Sequence, residues 1–246
     1  SNPKLSKSIP RDLQDIVDGE TKKTWEGLLE SHKGKVISKP SAINLGSNKL
    51  NQIEFVKNYG SGIYVPDTLV TNSPYLVHCF YENHKGNICF KLHKGASITR
   101  GEESYFVYTN KIRPEHLENL EDISLNPSMF QEYIDKVYEI RVTTVGKEVI
   151  ATAIHSQDSE ISCVDYRRYD FNKVKYEHID LPENVRVLCL DMLAHYGLNF
   201  GAFDFIKSKE DKYYFLELNP NGQWLWLEQL SGYKISEVLA DYLSVN

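Results

Sequence analysis

Two apolar, aromatic-rich runs near the end of the chain, Phe200-Gly-Ala-Phe-Asp-Phe-Ile206 and Tyr213-Tyr-Phe-Leu-Glu-Leu-Asn219, constrain the fold more than any other part of the sequence. Only the charged segment Lys207–Lys212 separates them, so they read as two strands joined by a short turn. Each carries oxygen donors in apolar surroundings: Asp204 in the first, Glu217 and Asn219 in the second. A carboxylate in a strand core is costly unless it is paired or holds a cation. Three oxygen donors brought together by neighbouring strands suit Mg²⁺, a hard ion that keeps waters and shares phosphate oxygens with a substrate.

The 246 residues allow one large domain or two modest ones. A formal charge of −6 gives no general basic face, which argues against nucleic acid as a partner. No apolar run approaches the ~20 residues of a membrane-crossing helix, and the start of the chain does not resemble a signal peptide. Sixteen Tyr and ten Phe favour sheet. Cys79, Cys89, Cys163 and Cys189 form no C-x-x-C pair and sit in apolar elements, so buried thiols in a reducing cytoplasm are expected rather than disulfides or zinc.

Apolar spacing predicts helices over 11–31, over 47–59 with Leu50, Ile53, Val56 and Tyr59 on one stripe, and over 182–196 with a stop at Gly197. Ser73-Pro74 is a good helix start. Lys33–Leu45 reads as extended, with Pro40 opposing a helix. Strands are expected over 68–71, 87–92, 105–110 and 128–134. A hairpin is expected over 137–156, turning at Val145-Gly-Lys147. His93–Ser104 reads as a polar loop, Ile161–Tyr169 as extended, and two helices near 223–230 and 235–243 close the chain.

Lys91 is a lysine in an apolar strand, expensive unless it meets an anion, although an edge lysine pointing to water is the plain alternative. The following His93-Lys-Gly-Ala-Ser97 could bring backbone amides to phosphates. In Met129–Ile134, an extended segment can offer backbone groups to an adenine edge, with Gln131 or Glu132 reaching its amine, and Glu139 beyond it could hold ribose hydroxyls. Arg141 and Arg167, read as strand residues, offer fixed donor forks for phosphate or carboxylate. Arg168 falls on the opposite face and reads as a cross-strand partner of acids. No G-x-x-x-x-G-K-[ST], G-x-G-x-x-G or G-x-S-x-G motif occurs, and His155 and His178 have no evident partner.

With these residues in order, residues 47–246 resemble the ATP-grasp ligases. The strings are Asn48-Lys49, Val65–Thr71, Phe130-Gln-Glu-Tyr-Ile-Asp-Lys136, Glu139-Ile-Arg-Val-Thr143, Ser156-Gln157, Asp165-Tyr-Arg167, Leu198–Ile206 and Glu217-Leu-Asn-Pro-Asn-Gly-Gln-Trp224. The last is similar to the graspetide, or microviridin-type, peptide macrocyclases.

The resemblance implies an α+β ATP-grasp fold in which two antiparallel lobes clasp the nucleotide. It implies a division into an N-terminal remnant and connecting helix (1–46), a central subdomain (47–132) and a C-terminal subdomain (133–246). It also implies that the N-terminal domain usual in the family is largely missing from residues 1–46, and Tyr166 stands where tryptophan is common in the family. The resemblance implies ATP and Mg²⁺ as cofactors and a ribosomal precursor peptide, leader plus acidic core, as partner. Asp or Glu carboxylates of that peptide would be activated as acyl phosphates and joined to Ser/Thr hydroxyls or Lys amines of the same peptide. Dimerisation is a family expectation only. By position, Lys91 meets the phosphates, Gln131, Glu132, Tyr133 and Ile134 line the adenine hinge, and Glu139 holds the ribose. Asp204, Glu217 and Asn219 hold Mg²⁺, and Arg141 and Arg167 stabilise the phosphoryl group or the acceptor carboxylate. Asp165 orients the nucleophile or its neighbouring arginine. An intermolecular carboxylate–amine ligase and a non-catalytic nucleotide- or peptide-binding module are the alternatives.

Overall fold

The computed structural model describes residues 9–60, 62–95, 97–100 and 103–244. The helices are α1 (Arg11–Ser31), α2 (Pro40–Gly46), α3 (Lys49–Tyr59), α4 (Pro74–Asn83), α5 (Pro114–Leu117), α6 (Glu183–Tyr196), α7 (Leu225–Ser231) and α8 (Ile235–Ser244). The strands are β1 (Thr68–Thr71), β2 (Ile88–Lys91), β3 (Ser97–Arg100), β4 (Glu103–Phe106), β5 (Asn110–Lys111), β6 (Ser128–Glu132), β7 (Lys136–Val145), β8 (Glu148–Ile154), β9 (Tyr176–Ile179), β10 (Phe200–Ser208) and β11 (Tyr213–Asn219).

A small sheet of order β1-β6-β2-β5 and a large sheet of order β11-β10-β7-β8-β9 organise the chain, and the observed pairings in both are antiparallel. The large sheet buries Ile140, Val142, Phe203, Phe205, Phe215 and Leu218 against Val185, Leu188, Cys189, Met192 and Leu193 of α6. Burial of each such side chain contributes about 1.5–3 kcal/mol. Leu227 of α7 and Ile235 of α8 pack with Ile150 of β8 in a separate cluster. The small sheet has its own core of Val77, Ile88, Ile112, Leu120 and Phe130. The small and large sheets therefore bury separate cores, and the chain crosses from one sheet to the other where β6 passes into β7.

The hairpin at Val145-Gly-Lys147 forms as the sequence predicts, with Gly146 at a φ of 59°. The helix stop at Gly197 also forms, at a φ of 68°. Several expectations are corrected. Pro40 opens α2 rather than preventing it, because an N–H at the first helical position would have no partner within the helix and proline loses nothing by lacking one. The α3 stripe is rotated: Gln52, Ile53 and Val56 are buried, while Leu50 is exposed. Through Val56, α3 packs on the large sheet, so this part of the segment assigned to the central subdomain serves the C-terminal lobe.

The segment read as a polar loop, 93–104, holds β3 and the start of β4, and the strand expected over 105–110 is instead the end of β4 and the first residue of β5. Ala96, Gly101 and Glu102 of that region, and Ser61 beside the α3 stop, lie outside the described residues, as do the first eight residues. Residues 161–169 are not a strand but loop and a short 3₁₀ turn, Tyr166–Arg168, in which the Asp165 carboxylate caps the Arg167 N–H. Strand β9 has no counterpart in the sequence reading. Helix α1 forms as the periodicity predicts, yet none of its residues is buried. Cys89 and Cys189 are buried, Cys79 and Cys163 half-buried, and all four thiols are free. Among the described residues no helix is long and apolar enough to cross a membrane.

Candidate active site

Antiparallel register places Asp204 of β10 opposite Glu217 of β11 on one side and Arg141 of β7 on the other. A bulge follows at once, because Phe205 pairs with Phe215 and Leu216 is extra. That extra residue lets Phe215 and Leu218, three apart, both reach the core while Glu217 lines the cleft. Asn219, two residues on from Glu217, turns the same way.

The acids are closely engaged. Arg141 Nη1 donates to Asp204 Oδ2 at 2.7 Å, and the Tyr166 hydroxyl donates to Oδ1 at 2.9 Å. Asn219 Nδ2 donates to Glu217 Oε1 at 2.9 Å and faces Asp204 Oδ2 at 3.4 Å. Lys49 Nζ lies 2.6 Å from Glu217 Oε2 and donates to the Leu92 carbonyl at 3.0 Å. Burial pushes both carboxyls up. For Glu217 the charge and hydrogen bond of Lys49, the Asn219 amide and the Lys91 charge outweigh burial and leave it well below the carboxylate range. For Asp204 burial prevails over Arg141, and the Glu217 charge adds to it, so its carboxyl lies above the usual value. The donor set fits a hard divalent cation: two carboxylates and one amide leave coordination positions for water and phosphate. The amide nitrogen of Asn219 faces the two acids, and a half-turn of that amide presents Oδ1 to a cation.

Lys91, Gln131, Glu132, Tyr133, Ile134, Glu139, Asp165, Arg167, Asp204 and Glu217 all line one cavity between the lobes. Gln131 Nε2 donates to Thr68 Oγ1 at 2.9 Å, while its buried Oε1 has no partner among the described residues, an acceptor suited to an amine. The N–H groups of Glu132 and Tyr133 are bonded to the carbonyls of Asp67 and Asn87, which leaves Ile134 as the segment's candidate backbone donor. Burial of Lys91 draws its ammonium below the ordinary lysine value.

Arg141, Asn219 and Gln223 line a second, larger cavity that also takes in Pro220, Tyr169 and Trp226. The two cavities share Lys49, Tyr166, Arg167, Asp204 and Glu217, so they meet at the paired acids.

Five placements differ from the sequence reading, those of Glu139, Arg167, Arg168, His155 and His178. Glu139 is buried with both oxygens engaged, Oε1 by Lys136 Nζ at 2.5 Å and Oε2 by the Ser156 hydroxyl, so a ribose hydroxyl would have to share them. Arg167 is on the 3₁₀ turn and forms a two-point pair with Asp165, Nε to Oδ1 at 2.8 Å and Nη2 to Oδ2 at 2.5 Å. Asp165 Oδ2 also accepts the Thr109 N–H at 2.8 Å, so Asp165 orients the arginine. The side chain of Arg167 is 40% exposed against 6% for Arg141, which makes it the more open guanidinium. Arg168 pairs with the Asn110 amide at 2.6 Å and the Tyr108 ring, not with an acid. His155 finds Glu177 at 2.8 Å, and His178 stacks on Tyr233.

Sequence reasoning passed over Lys49, Lys136 and the Tyr166 hydroxyl. Lys49 left a signal: Asn48 caps α3, and a cation at the first helical position opposes the helix dipole, so it is there for another charge. Lys136 and Tyr166 left none, because only the fold brings them to their acids.

The chain matches the model of the RimK-like ATP-grasp domain over residues 62–243. A search of curated protein sequences returns no match. Among solved structures it is similar to a Chryseobacterium gregarium RiPP-associated ATP-grasp ligase in complex with ADP and a leader and core peptide. That match has 32% identity and a TM-score of 0.87, over 96% of this chain and 70% of the other. It is also similar to macrocyclase MdnC of Microcystis aeruginosa MRC, bound with precursor peptide MdnA (28% identity, TM-score 0.86, 98% and 74% of the two chains). A third is macrocyclase MdnB of the same organism (29% identity, TM-score 0.78, 100% and 75%). With two antiparallel sheets meeting at a cavity that holds the paired acids, and with this family model spanning most of its length, the chain belongs to the RimK-like ATP-grasp family.

Proposed function

We propose that the protein is an ATP- and Mg²⁺-dependent peptide ligase that activates Asp or Glu side chains of a precursor peptide and closes rings within it. The observation that carries this reading is the meeting of the two cavities at Asp204 and Glu217, with Arg167 open beside them. One cavity is lined by Gln131, Glu132, Tyr133 and Ile134, which in this reading meet the base, and the other has room and guanidinium charge for a carboxylate. The similarity to ligases solved with precursor peptides supports a peptide as the acceptor.

In this reading Gln131, Glu132, Tyr133 and Ile134 hold the base, Lys91 and Lys49 face the phosphates, and Asp204, Glu217 and Asn219 hold Mg²⁺. The bound ion would neutralise charge between the phosphates. Arg167, fixed by Asp165, receives the acceptor carboxylate, and Arg141 holds Asp204. A carboxylate oxygen attacks the γ-phosphorus, ADP leaves, and a mixed anhydride results. A hydroxyl or amine of the same peptide then attacks the acyl carbon, loses its proton and expels phosphate with that oxygen. Positioning and charge neutralisation supply the catalysis, so no protein nucleophile is required.

The test is incubation with ATP, Mg²⁺ and an acidic precursor peptide encoded beside the protein, read by intact peptide mass. Loss of one water per ring, dependent on ATP, is expected. A mass gain from an added amino acid would favour intermolecular ligation, and the absence of any ATP turnover would favour a binding module.

A further inference from the structure

Asp204 is held at both oxygens before any cation is considered. Oδ2 accepts from Arg141, and Oδ1 accepts the hydroxyl of Tyr166 at 2.9 Å. The same phenol oxygen accepts from Arg141 Nη1 at 3.3 Å, so the three groups close a triangle. Tyr166 is buried, and its ring stacks on Trp226 with centroids 6.1 Å apart. Its sequence neighbours are Asp165, bonded to the Thr109 N–H of the segment leading into β5, and Arg167, which opens to the acceptor cavity. One short turn thus touches the small lobe, the cleft guanidinium and the acid of β10.

We propose that Tyr166 is a positioning residue: its hydroxyl orients the Asp204 carboxylate and ties that acid to the Asp165–Arg167 turn. This rests on the reading of Asp204 as a metal ligand. A phenol suits the task because it donates one directed hydrogen bond and brings no charge that would compete with a cation. Hydrogen-bond partners of ligating carboxylates commonly set metal affinity, with losses of about 10–100-fold on removal. A tryptophan at this position could fill the space beside Trp226 but would place no hydroxyl on Oδ1.

The experiment measures Mn²⁺ binding in the presence of ADP, by the electron paramagnetic resonance signal of the free ion, for the wild type and for Tyr166→Phe, Trp226→Leu and Asp204→Asn. Tyr166→Phe keeps the ring and removes only the hydroxyl; binding about tenfold weaker is expected, with turnover restored by excess metal. Trp226→Leu disturbs the packing and keeps the hydroxyl; it is expected to bind more tightly than Tyr166→Phe. Wild-type affinity in Tyr166→Phe beside a loss in Asp204→Asn would overturn the role of Tyr166 and leave the metal reading standing. An equal loss in Trp226→Leu and Tyr166→Phe would reduce Tyr166 to packing. Wild-type affinity in Asp204→Asn would overturn the metal reading itself.

Discussion

Lys49, the first residue of α3, reaches the last strand of the large sheet and sets its ammonium 2.6 Å from Glu217 Oε2. If Glu217 holds the cation, as proposed, a lysine so placed competes with it and offers charge to an incoming phosphate. Lys49→Met should therefore separate two quantities. Turnover with ATP and peptide should fall by about 100-fold or more, on the scale of losing one charge-stabilising donor. Mn²⁺ affinity, measured directly, should not weaken. A parallel loss of both would remove Lys49 from phosphate binding and make it a support of Glu217 alone.

Gln52 is a polar residue buried in α3, and its amide reads the backbone of Leu218 at both ends. Nε2 donates to the Leu218 carbonyl at 2.8 Å, and Oε1 accepts the Leu218 N–H at 2.8 Å. Leu218 lies between Glu217 and Asn219, so this pair of bonds fixes the strand that presents them. Gln52→Leu removes the partner of three backbone groups, the Leu218 N–H and carbonyl and the Gly46 carbonyl, at about 1–3 kcal/mol for each that stays buried. Chemical denaturation should show a loss of about 2–5 kcal/mol, with metal binding weakened as well.

Gly222 follows the acidic strand at a point with no room for a methyl group. A Cβ there would stand 2.4 Å from Ala202 Cβ and 2.9 Å from Arg141 Nη2. Ala202 sits in the sheet and cannot withdraw, so the loop must move, and Arg141 loses the Gln223 carbonyl it holds at 3.3 Å. Gly222→Ala should cost about 1–3 kcal/mol of stability and, in the same variant, most of the peptide-dependent ATP turnover.

The acid side of the stability profile should carry the mark of Asp165. Burial raises its carboxyl, but the hydrogen bond and charge of Arg167 and the Thr109 and Arg167 amides bring it below the ordinary aspartate value. A depressed folded-state value means stabilisation that is present above the unfolded value near ~3.9 and lost as pH falls through the folded one. The stability gap between wild type and Asp165→Asn should be constant from neutral pH down to about 5 and shrink below about 4. A gap that is independent of pH across this range would show that the Asp165–Arg167 charge pair does not operate.

Much of the large lobe was legible in the sequence because its signals are local. The acids of β10 and β11 stood out against aromatic strands, Gly146 and Gly197 marked a turn and a stop, and α6 carried its period in full. The missed elements depend on partners far along the chain. Gln52 is buried only because Leu218 lies beside it, and α2 begins at a proline that elsewhere would end a helix. The turn at Tyr166–Arg168 looked extended because its aromatic and basic residues suit a strand. Its curvature comes from the Asp165 side chain capping Arg167. Ten of the residues that line the cavity between the lobes stand out in the sequence, yet the engagement of Glu139 by Lys136 and Ser156 is visible only once the sheet is formed.

Activation of a side-chain carboxylate through its own oxygen, as proposed, carries that oxygen into the released phosphate. Precursor peptide carrying isotopically heavy oxygen in its Asp and Glu carboxylates is incubated with the protein, ATP and Mg²⁺, and the released phosphate is analysed by mass. One heavy oxygen should appear in phosphate for each ring closed, and none when Glu217→Gln replaces the wild type. Ring closure that leaves the phosphate unlabelled would contradict this activation, because the acyl phosphate would then not have formed.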